Sequence, residues 1–138
     1  MTAFEFARIP HIIFGTGKAE LIGKIAAGYG KKAILVTGGE HLKKTGDFTR
    51  ITASLKKAGL YIIAISFQHE PSPDFIDSVV MEHHDRDIDV VLAVGGGSVV
   101  DAGKAISAML LQKKRVKIYL EGVGTGEKHD GRKVPFLA

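Results

Sequence analysis

The sequence predicts an α/β domain built around a mainly parallel sheet, and two patterns indicate this fold class. Short apolar runs recur along the chain, each ending at glycine or a turn, and their residues are continuous rather than alternating. Continuous apolar runs are typical of strands that are buried on both faces of a parallel sheet. Amphipathic segments with helical spacing separate these runs, and that alternation favours right-handed crossover units.

The elements are predicted from these two patterns in chain order. The predicted strands are Ile12–Phe14, Ala33–Thr37, Leu60–Ile65, Val90–Val94 and Val134–Ala138. The predicted helices are Lys18–Tyr29, Phe48–Ala58, Asp74–His83 and Ser98–Met109. Asp74 and Ser98 are the expected N-caps, because short polar side chains accept hydrogen bonds from the first helical N–H groups. No repeat or long linker interrupts the pattern, so we expect one domain over residues 1–138.

Composition excludes several classes of protein. The chain has 138 residues and no cysteine, which excludes a disulfide framework, a zinc–thiolate site and a cysteine nucleophile. The apolar runs, such as Tyr61–Ile65, are too short to span a bilayer, and the N-terminus lacks the pattern of a secretory signal. We therefore expect a cytoplasmic protein with no membrane partner.

The net charge of +4 raises the question of a nucleic-acid partner. The excess lies in residues 103–138, where Lys113, Lys114, Arg115 and Lys117 form a basic cluster. Such a cluster could neutralise phosphates, but no aromatic side chain interleaves with it before Tyr119. Basic residues in a last helical turn also complement the helix dipole. A solvated helix end is therefore the favoured interpretation, and no nucleic-acid partner is expected.

Two glycine clusters follow predicted strands, at the edge where open parallel sheets bind ligands. They are Gly38-Gly39 and Gly95-Gly96-Gly97. The second cluster lets the backbone approach a charged group closely, and Ser98 would cap a helix with N–H groups suited to phosphate or pyrophosphate. Asp101 and Lys104 follow on one helical face. The alternative is purely structural: Ser98 and Asp101 as a capping box, and Asp101 with Lys104 as an ordinary ion pair.

The run from Gly95 to Ile106 resembles the Gly-Gly-Gly-Ser-x-x-Asp-x-x-Lys motif of the iron-containing alcohol dehydrogenases. Further matching segments, in the expected order, are Phe14-Gly15-Thr16-Gly17, Lys43-Lys44-Thr45-Gly46, Pro71-Ser72-Pro73 and Leu120-Glu121-Gly122. The resemblance implies a Rossmann-like three-layer domain and an oxidoreductase that moves a hydride between NAD(P) and an alcohol or aldehyde. The residues that it implies for cofactor binding are Gly38, Gly39, Ser72, Gly95, Gly96, Gly97, Ser98, Asp101 and Lys104.

Two positions bear on the details of this resemblance. Gly38 occupies the place of an acidic residue that would bind a ribose 2′-hydroxyl and repel a 2′-phosphate, and Lys43 and Lys44 lie nearby. We therefore predict NADP(H) over NAD(H), with NAD(H) as the alternative because Glu40 could take the place of the missing acid. Gly103 replaces the alanine usual in the family. We expect it to weaken its helix slightly, because glycine costs about 0.5–1 kcal/mol there relative to alanine.

The resemblance also implies Fe²⁺ or another divalent metal, held by one aspartate and three histidines of a helical domain beyond residue 138. We predict no catalytic residue and no metal ligand in this chain. His83 and His84 are adjacent on a helix and point about 100° apart, so a helix end facing water is favoured over a shared metal. The full-length protein is expected to be an enzyme and residues 1–138 alone inactive, with the alcohol substrate and any homo-oligomer left open.

The alternative function is a stand-alone nucleotide- or phosphate-binding regulatory module without catalysis. The reading frame after codon 138 distinguishes the two hypotheses. Codons for aspartate and histidine ligands favour the enzyme, and a native stop codon favours the module.

Overall fold

The computed structural model describes residues 10–39, 42, 44–68 and 70–138. The strands are β1 (Lys32–Gly38), β2 (Tyr61–Phe67), β3 (Val90–Val94) and β4 (Phe136–Leu137). The helices that cover the sheet are α1 (Ile22–Ala27), α2 (Asp47–Lys57), α3 (Pro73–His83) and α4 (Gly97–Met109). Two short 3-10 helices, Lys18–Leu21 and Val116–Tyr119, precede α1 and follow α4.

The strands form a parallel sheet in the order β2-β1-β3-β4. Ala33 of β1 lies opposite Ile62 of β2 and Val90 of β3, so β1 is flanked on both sides. From β1 the chain adds β2 on one side, whereas from β3 it adds β4 on the other. The order therefore reverses between β1 and β3, and such a switch point opens a crevice at the carboxyl ends of the two strands.

Helices cover both faces of the sheet, which makes three layers and confirms the predicted α/β class. On one face Ile34 and Val91 belong to a buried cluster with residues of α3 and α4. On the other face Leu35 and Leu92 belong to a cluster with residues of α1 and α2. Five consecutive residues of β1 are buried as a result, which explains why its apolar run is continuous. Burial of the larger aliphatic side chains, Ile34, Leu35 and Val36, stabilises the fold by about 1.5–3 kcal/mol each.

The predicted strand boundaries agree with the structure in the centre of the sheet and differ at its margins. The strand predicted at Ile12–Phe14 is wrong: this segment has no regular secondary structure and pairs with no strand of the sheet, and Phe14 is 94% exposed. The last strand is shorter than predicted, because Pro135 contributes no N–H group and only its carbonyl oxygen pairs, accepting from Val91 N at 2.9 Å. The helix predicted at Lys18–Tyr29 begins as a 3-10 turn and ends at Ala27.

The predicted N-caps of α3 and α4 are both wrong. Helix α3 begins at Pro73, and the Ser72 hydroxyl accepts a hydrogen bond from Phe75 N at 3.1 Å. Proline suits the first helical position because its missing N–H group has no helical partner there, so the residue before it becomes the cap instead of Asp74. Helix α4 begins at Gly97 after an extended Gly96, which makes no side-chain cap bond.

Candidate functional site

The two glycine clusters meet at the switch point of the sheet. Thr37 of β1 lies opposite Val94 of β3 in the parallel register. Gly38 and Gly95 come next in their strands, so both clusters lie at the same edge and on adjacent strands. The structure thus brings together residues that the sequence places far apart, at the position where α/β sheets bind ligands.

These glycines differ in what surrounds the missing side chain. A Cβ at Gly95 would lie 2.7 Å from Val99 Cγ2, and a Cβ at Gly38 would lie 3.2 Å from the same atom. A Cβ at Gly96 or Gly97 would meet no atom of the described residues within 4 Å. None of the four has a positive φ, so backbone strain explains none of them. Packing accounts for glycine at 38 and 95, while 96 and 97 border open space.

The first turn of α4 presents backbone N–H groups to this open space. Val99 and Val100 N donate to the Gly96 carbonyl, each at 3.1 Å. The N–H groups of Gly97 and Ser98 come before these first helical bonds, and helix geometry offers them no acceptor. The helix dipole adds partial positive charge at the same end. This arrangement suits an anionic group.

The polar side chains of the motif take simpler roles than predicted. The cap at Ser98 and the capping box with Asp101 are both wrong, because α4 has no side-chain cap bond. Asp101 Oδ1 lies 3.6 Å from Lys104 Nζ, and the two side chains are 73% and 60% exposed. An exposed pair of this kind contributes only a few tenths of a kcal/mol. Both side chains are therefore free to exchange this contact for another charged group.

Ser72 lies at the same edge of the sheet, at the start of α3. That helix follows β2, which is two strands away from β3. The Ser72 oxygen caps α3, and its hydroxyl hydrogen remains available as a donor. By this strand order Ser72, which follows β2, is separated from the Gly95 cluster, which follows β3, by the intervening strand β1.

A cleft of about 460 Å³ opens next to Gly95. Its lining is chiefly apolar and comes from the ends of β3 and β4, from α1 and from the segment before α1. Lining residues include Phe14, Tyr29, Val94, Val100 and Leu137. An apolar cleft beside a polar cradle is the common form of a site for a cofactor that carries rings and phosphates.

At the end of β1, Gly39 approaches a side chain that sequence analysis did not identify. A Cβ at Gly39 would lie 3.2 Å from Gln68 Cγ, just past the end of β2. The register continues from Gly38 opposite Phe67, which is why these two residues meet. Glu40 and Lys43, which entered the prediction of cofactor preference, lie outside the described residues.

Gly103 is required by packing, which corrects the expected role of this residue. A Cβ there would lie 2.7 Å from Phe136 Cε2 and 2.8 Å from Ala93 Cβ. Helix α4 therefore approaches β3 and β4 closely at this position. The same seam is held by Ser107, whose hydroxyl donates to the Val134 carbonyl. Glycine inside a helix is a sequence signal for such an approach.

The paired histidines divide between core and surface. His83 is 4% exposed, so its predicted position on a water-facing helix end is wrong. Its Nδ1 finds no hydrogen-bond partner in the part of the chain that the structure describes, and burial lowers the pKa of its imidazole. His84 is half-exposed, with Nε2 3.4 Å from Asp85 Oδ2. Within residues 10–39, 42, 44–68 and 70–138, no three metal-ligating side chains come together.

The basic cluster lies beyond α4 rather than in its last turn. Helix α4 ends at Met109, so Lys113, Lys114 and Arg115 occupy the connection to the next 3-10 helix, where they are exposed. Lys114 forms an ion pair with Glu127, which raises the pKa of the lysine. The prediction that these basic side chains are exposed to solvent is correct, whereas the prediction that they lie at the end of a helix is wrong. Among the helices described, none has the length and apolar character needed to cross a membrane.

Comparison with known proteins agrees with this geometry. The family model described as iron-containing alcohol dehydrogenase matches residues 10–138. The chain is similar to the probable NADH-dependent butanol dehydrogenase 2 of Bacillus subtilis, with 37% identity over 110 residues, 78% of this chain and 28% of that protein. It is 32% identical over 96 residues to the NADPH-dependent butanol dehydrogenase of Clostridium saccharobutylicum, covering 69% of this chain and 24% of that protein.

A solved structure extends the similarity to the fold. NADH-dependent butanol dehydrogenase A of Thermotoga maritima superimposes with a TM-score of 0.85 at 28% identity, covering 97% of this chain and 33% of that chain. The present chain thus spans about a third or less of the relatives that it matches. The motif that begins at Gly95 and the match over residues 10–138 lead to one conclusion: the chain belongs to the iron-containing alcohol dehydrogenase family.

Proposed function

We propose that this chain is the dinucleotide-binding part of an oxidoreductase that transfers a hydride between NAD(P) and an alcohol or aldehyde. The observation that carries the proposal is the open cradle at Gly96 and Gly97. Neither the backbone conformation nor packing against the described residues requires glycine at these two positions. A ligand that approaches the backbone closely does require it.

In this proposal the N-terminus of α4 binds the pyrophosphate. The N–H groups of Gly97 and Ser98 donate to its oxygens, and the dipole of α4 stabilises its negative charge. Lys104 can leave its exposed pair with Asp101 and add a positive charge near the phosphates. Gly38, Gly39, Gly95 and Ser72 shape the crevice on either side. When bound, the nicotinamide ring accepts or donates the hydride.

The preference for NADP(H) over NAD(H) is part of the proposal. Gly38 and Gly39 end β1 without a carboxylate, so neither repels a 2′-phosphate or selects a free 2′-hydroxyl. The similar proteins include both kinds, since the Bacillus subtilis relative is named NADH-dependent and the Clostridium saccharobutylicum relative NADPH-dependent. The ratio of the two dissociation constants measures the preference, and tighter binding of NADH would refute it.

The part of the chain that the structure describes does not form a site for a divalent metal, because its potential metal ligands do not cluster. We propose that Fe²⁺ or another divalent ion, together with the alcohol pocket, belongs to the remaining length of the full enzyme. Residues 1–138 are then one cofactor-binding domain, located in the cytoplasm and inactive by itself.

Calorimetric titration of the chain with NADPH and NADH tests the binding site. We expect Gly97→Asp to weaken binding at least about tenfold, because its carboxylate faces the pyrophosphate across a short distance. Thermal unfolding of this variant should match the wild type, since a Cβ at 97 meets nothing. Ala53→Asp is the matched control, because it adds the same charge on the exposed surface of α2. Equal binding by wild type and Gly97→Asp would refute the site.

A further inference from the structure

Val99 is buried at the point where β1 and β3 end. Its side chain is 5% exposed and belongs to the core cluster that includes Val36 and Ala93. Its Cγ2 lies where it would contact a Cβ at either Gly38 or Gly95. One isopropyl group thus occupies the space that side chains on both strand ends would need.

Val99 cannot easily yield this space. A β-branched residue in a helix has one strongly preferred χ1 rotamer, and the surrounding core is closely packed. Cβ contacts of 3.2 Å at Gly38 and 2.7 Å at Gly95 therefore require that helix α4 or the strand ends shift. The identity of residue 38 is consequently coupled to residue 99, which is far from it in sequence.

Position 39 lacks this coupling. Among the described residues, the three atoms nearest to a Cβ at Gly39 all belong to Gln68, and the nearest of them, Cγ, lies in a flexible and exposed side chain. Such a side chain can rotate away at little cost. The two neighbouring glycines thus differ in their tolerance of a side chain, and the difference is caused by Val99.

We propose that Val99 is a specificity-determining residue that acts through Gly38. By filling the adjacent space, it keeps position 38 free of the carboxylate that would bind a ribose 2′-hydroxyl and repel a 2′-phosphate. This inference rests on the proposed dinucleotide function. It adds that changing the cofactor preference requires two substitutions, one at 38 and one at 99.

The test compares dissociation constants for NADPH and NADH among wild type, Val99→Ala, Gly38→Asp and the double variant. We expect Gly38→Asp to weaken NADPH binding at least about tenfold through charge repulsion. The single substitution should not increase the affinity for NADH. Adding Val99→Ala should then strengthen NADH binding about tenfold relative to Gly38→Asp, because the carboxylate can occupy its proper position. Gly39→Asp, with and without Val99→Ala, is the control and should show no coupling.

The outcomes distinguish failure of the proposed dinucleotide function from failure of the inference about Val99. A wild type that binds neither dinucleotide refutes the proposed function and the inference with it. A wild type that binds, with equal NADH affinity for Gly38→Asp and the double variant, refutes the inference alone. Should Gly38→Asp fail to fold, recovery of its thermal transition on adding Val99→Ala supports the coupling, and absence of recovery refutes it.

Discussion

The two edges of the sheet use glycine for opposite reasons. At the amino edge Gly30 has a φ of 149°, and a Cβ there would overlap the Asp89 carboxyl group. That carboxylate accepts hydrogen bonds from Lys31 N at 2.7 Å and Lys32 N at 2.8 Å. At the carboxyl edge a Cβ at Gly97 would meet no described atom within 4 Å, and the N–H groups of Gly97 and Ser98 have no helical acceptor.

The comparison separates structural from functional glycine. At the amino edge the Asp89 carboxylate fills the space next to Gly30 and accepts hydrogen bonds from the backbone, so this glycine has a structural role. At the carboxyl edge Gly38 and Gly95 lie against Val99, whereas Gly96 and Gly97 lower stability without a structural return among the described residues. Residues that lower stability in this way are expected where a ligand binds. Substitutions at Gly30, Gly97 and Gly103 test this distinction.

Gly30→Ala should show the largest effect. It combines a backbone conformation unfavourable to alanine with overlap on Asp89, and we expect a loss of about 3–4 kcal/mol in the free energy of unfolding. Urea denaturation measures it. Gly97→Ala is the matched control and should be neutral or slightly stabilising, because alanine is the better helix former. Equal losses in the two variants would abolish the distinction between the edges.

Gly103→Ala extends the comparison to the centre of the sheet. Helix propensity alone favours alanine by about 1 kcal/mol, whereas contact with Phe136 and Ala93 opposes it. We expect overpacking to dominate, with a net loss of about 1–3 kcal/mol. Phe136→Leu removes the ring atom that a Cβ at Gly103 would contact. In that background Gly103→Ala should therefore lower the free energy of unfolding by a smaller amount. Stabilisation of the wild type by Gly103→Ala, measured by urea denaturation, would contradict this packing.

The amino edge should also depend on pH. Hydrogen bonds from the Lys32 and Lys31 N–H groups hold the pKa of Asp89 below its usual value. A lowered pKa in the folded state means that the carboxylate stabilises the fold above the unfolded value of 3.8. This contribution is lost as pH falls through the folded pKa. Because Asp89 is partly exposed, we expect a contribution of about 1 kcal/mol.

Urea denaturation between pH 7 and pH 2 checks this dependence. Asp89→Asn should remove the corresponding part of the acid-induced loss, while Asp101→Asn, on the exposed face of α4, should change little. Asp130 adds a second component, since hydrogen bonds from Gln112 and Arg132 lower its pKa to about 2. The difference between wild type and Asp89→Asn isolates the amino edge. The same dependence of the unfolding free energy on pH in wild type and Asp89→Asn would contradict the assigned role of Asp89.

Local sequence pattern sufficed for the centre of the fold. Val90–Val94 is a strand with the predicted bounds, because a strand buried on both faces leaves a continuous apolar run. At the margins local pattern competes with other effects. Ile12–Phe14 is as apolar as a strand, yet it lies outside the sheet, and the cap of α3 depends on Pro73 rather than on the acidity of Asp74.

The fold class, the glycine clusters at strand ends and the family motif from Gly95 onward follow from the amino-acid sequence alone. These features are local, since they arise from periodicity and from the order of neighbouring residues. The contacts of Val99 with Gly38 and of Gly103 with Phe136, in contrast, are visible only in the folded chain. Such contacts join residues far apart in the chain, and they depend on strand order and on the depth at which α4 packs against the sheet.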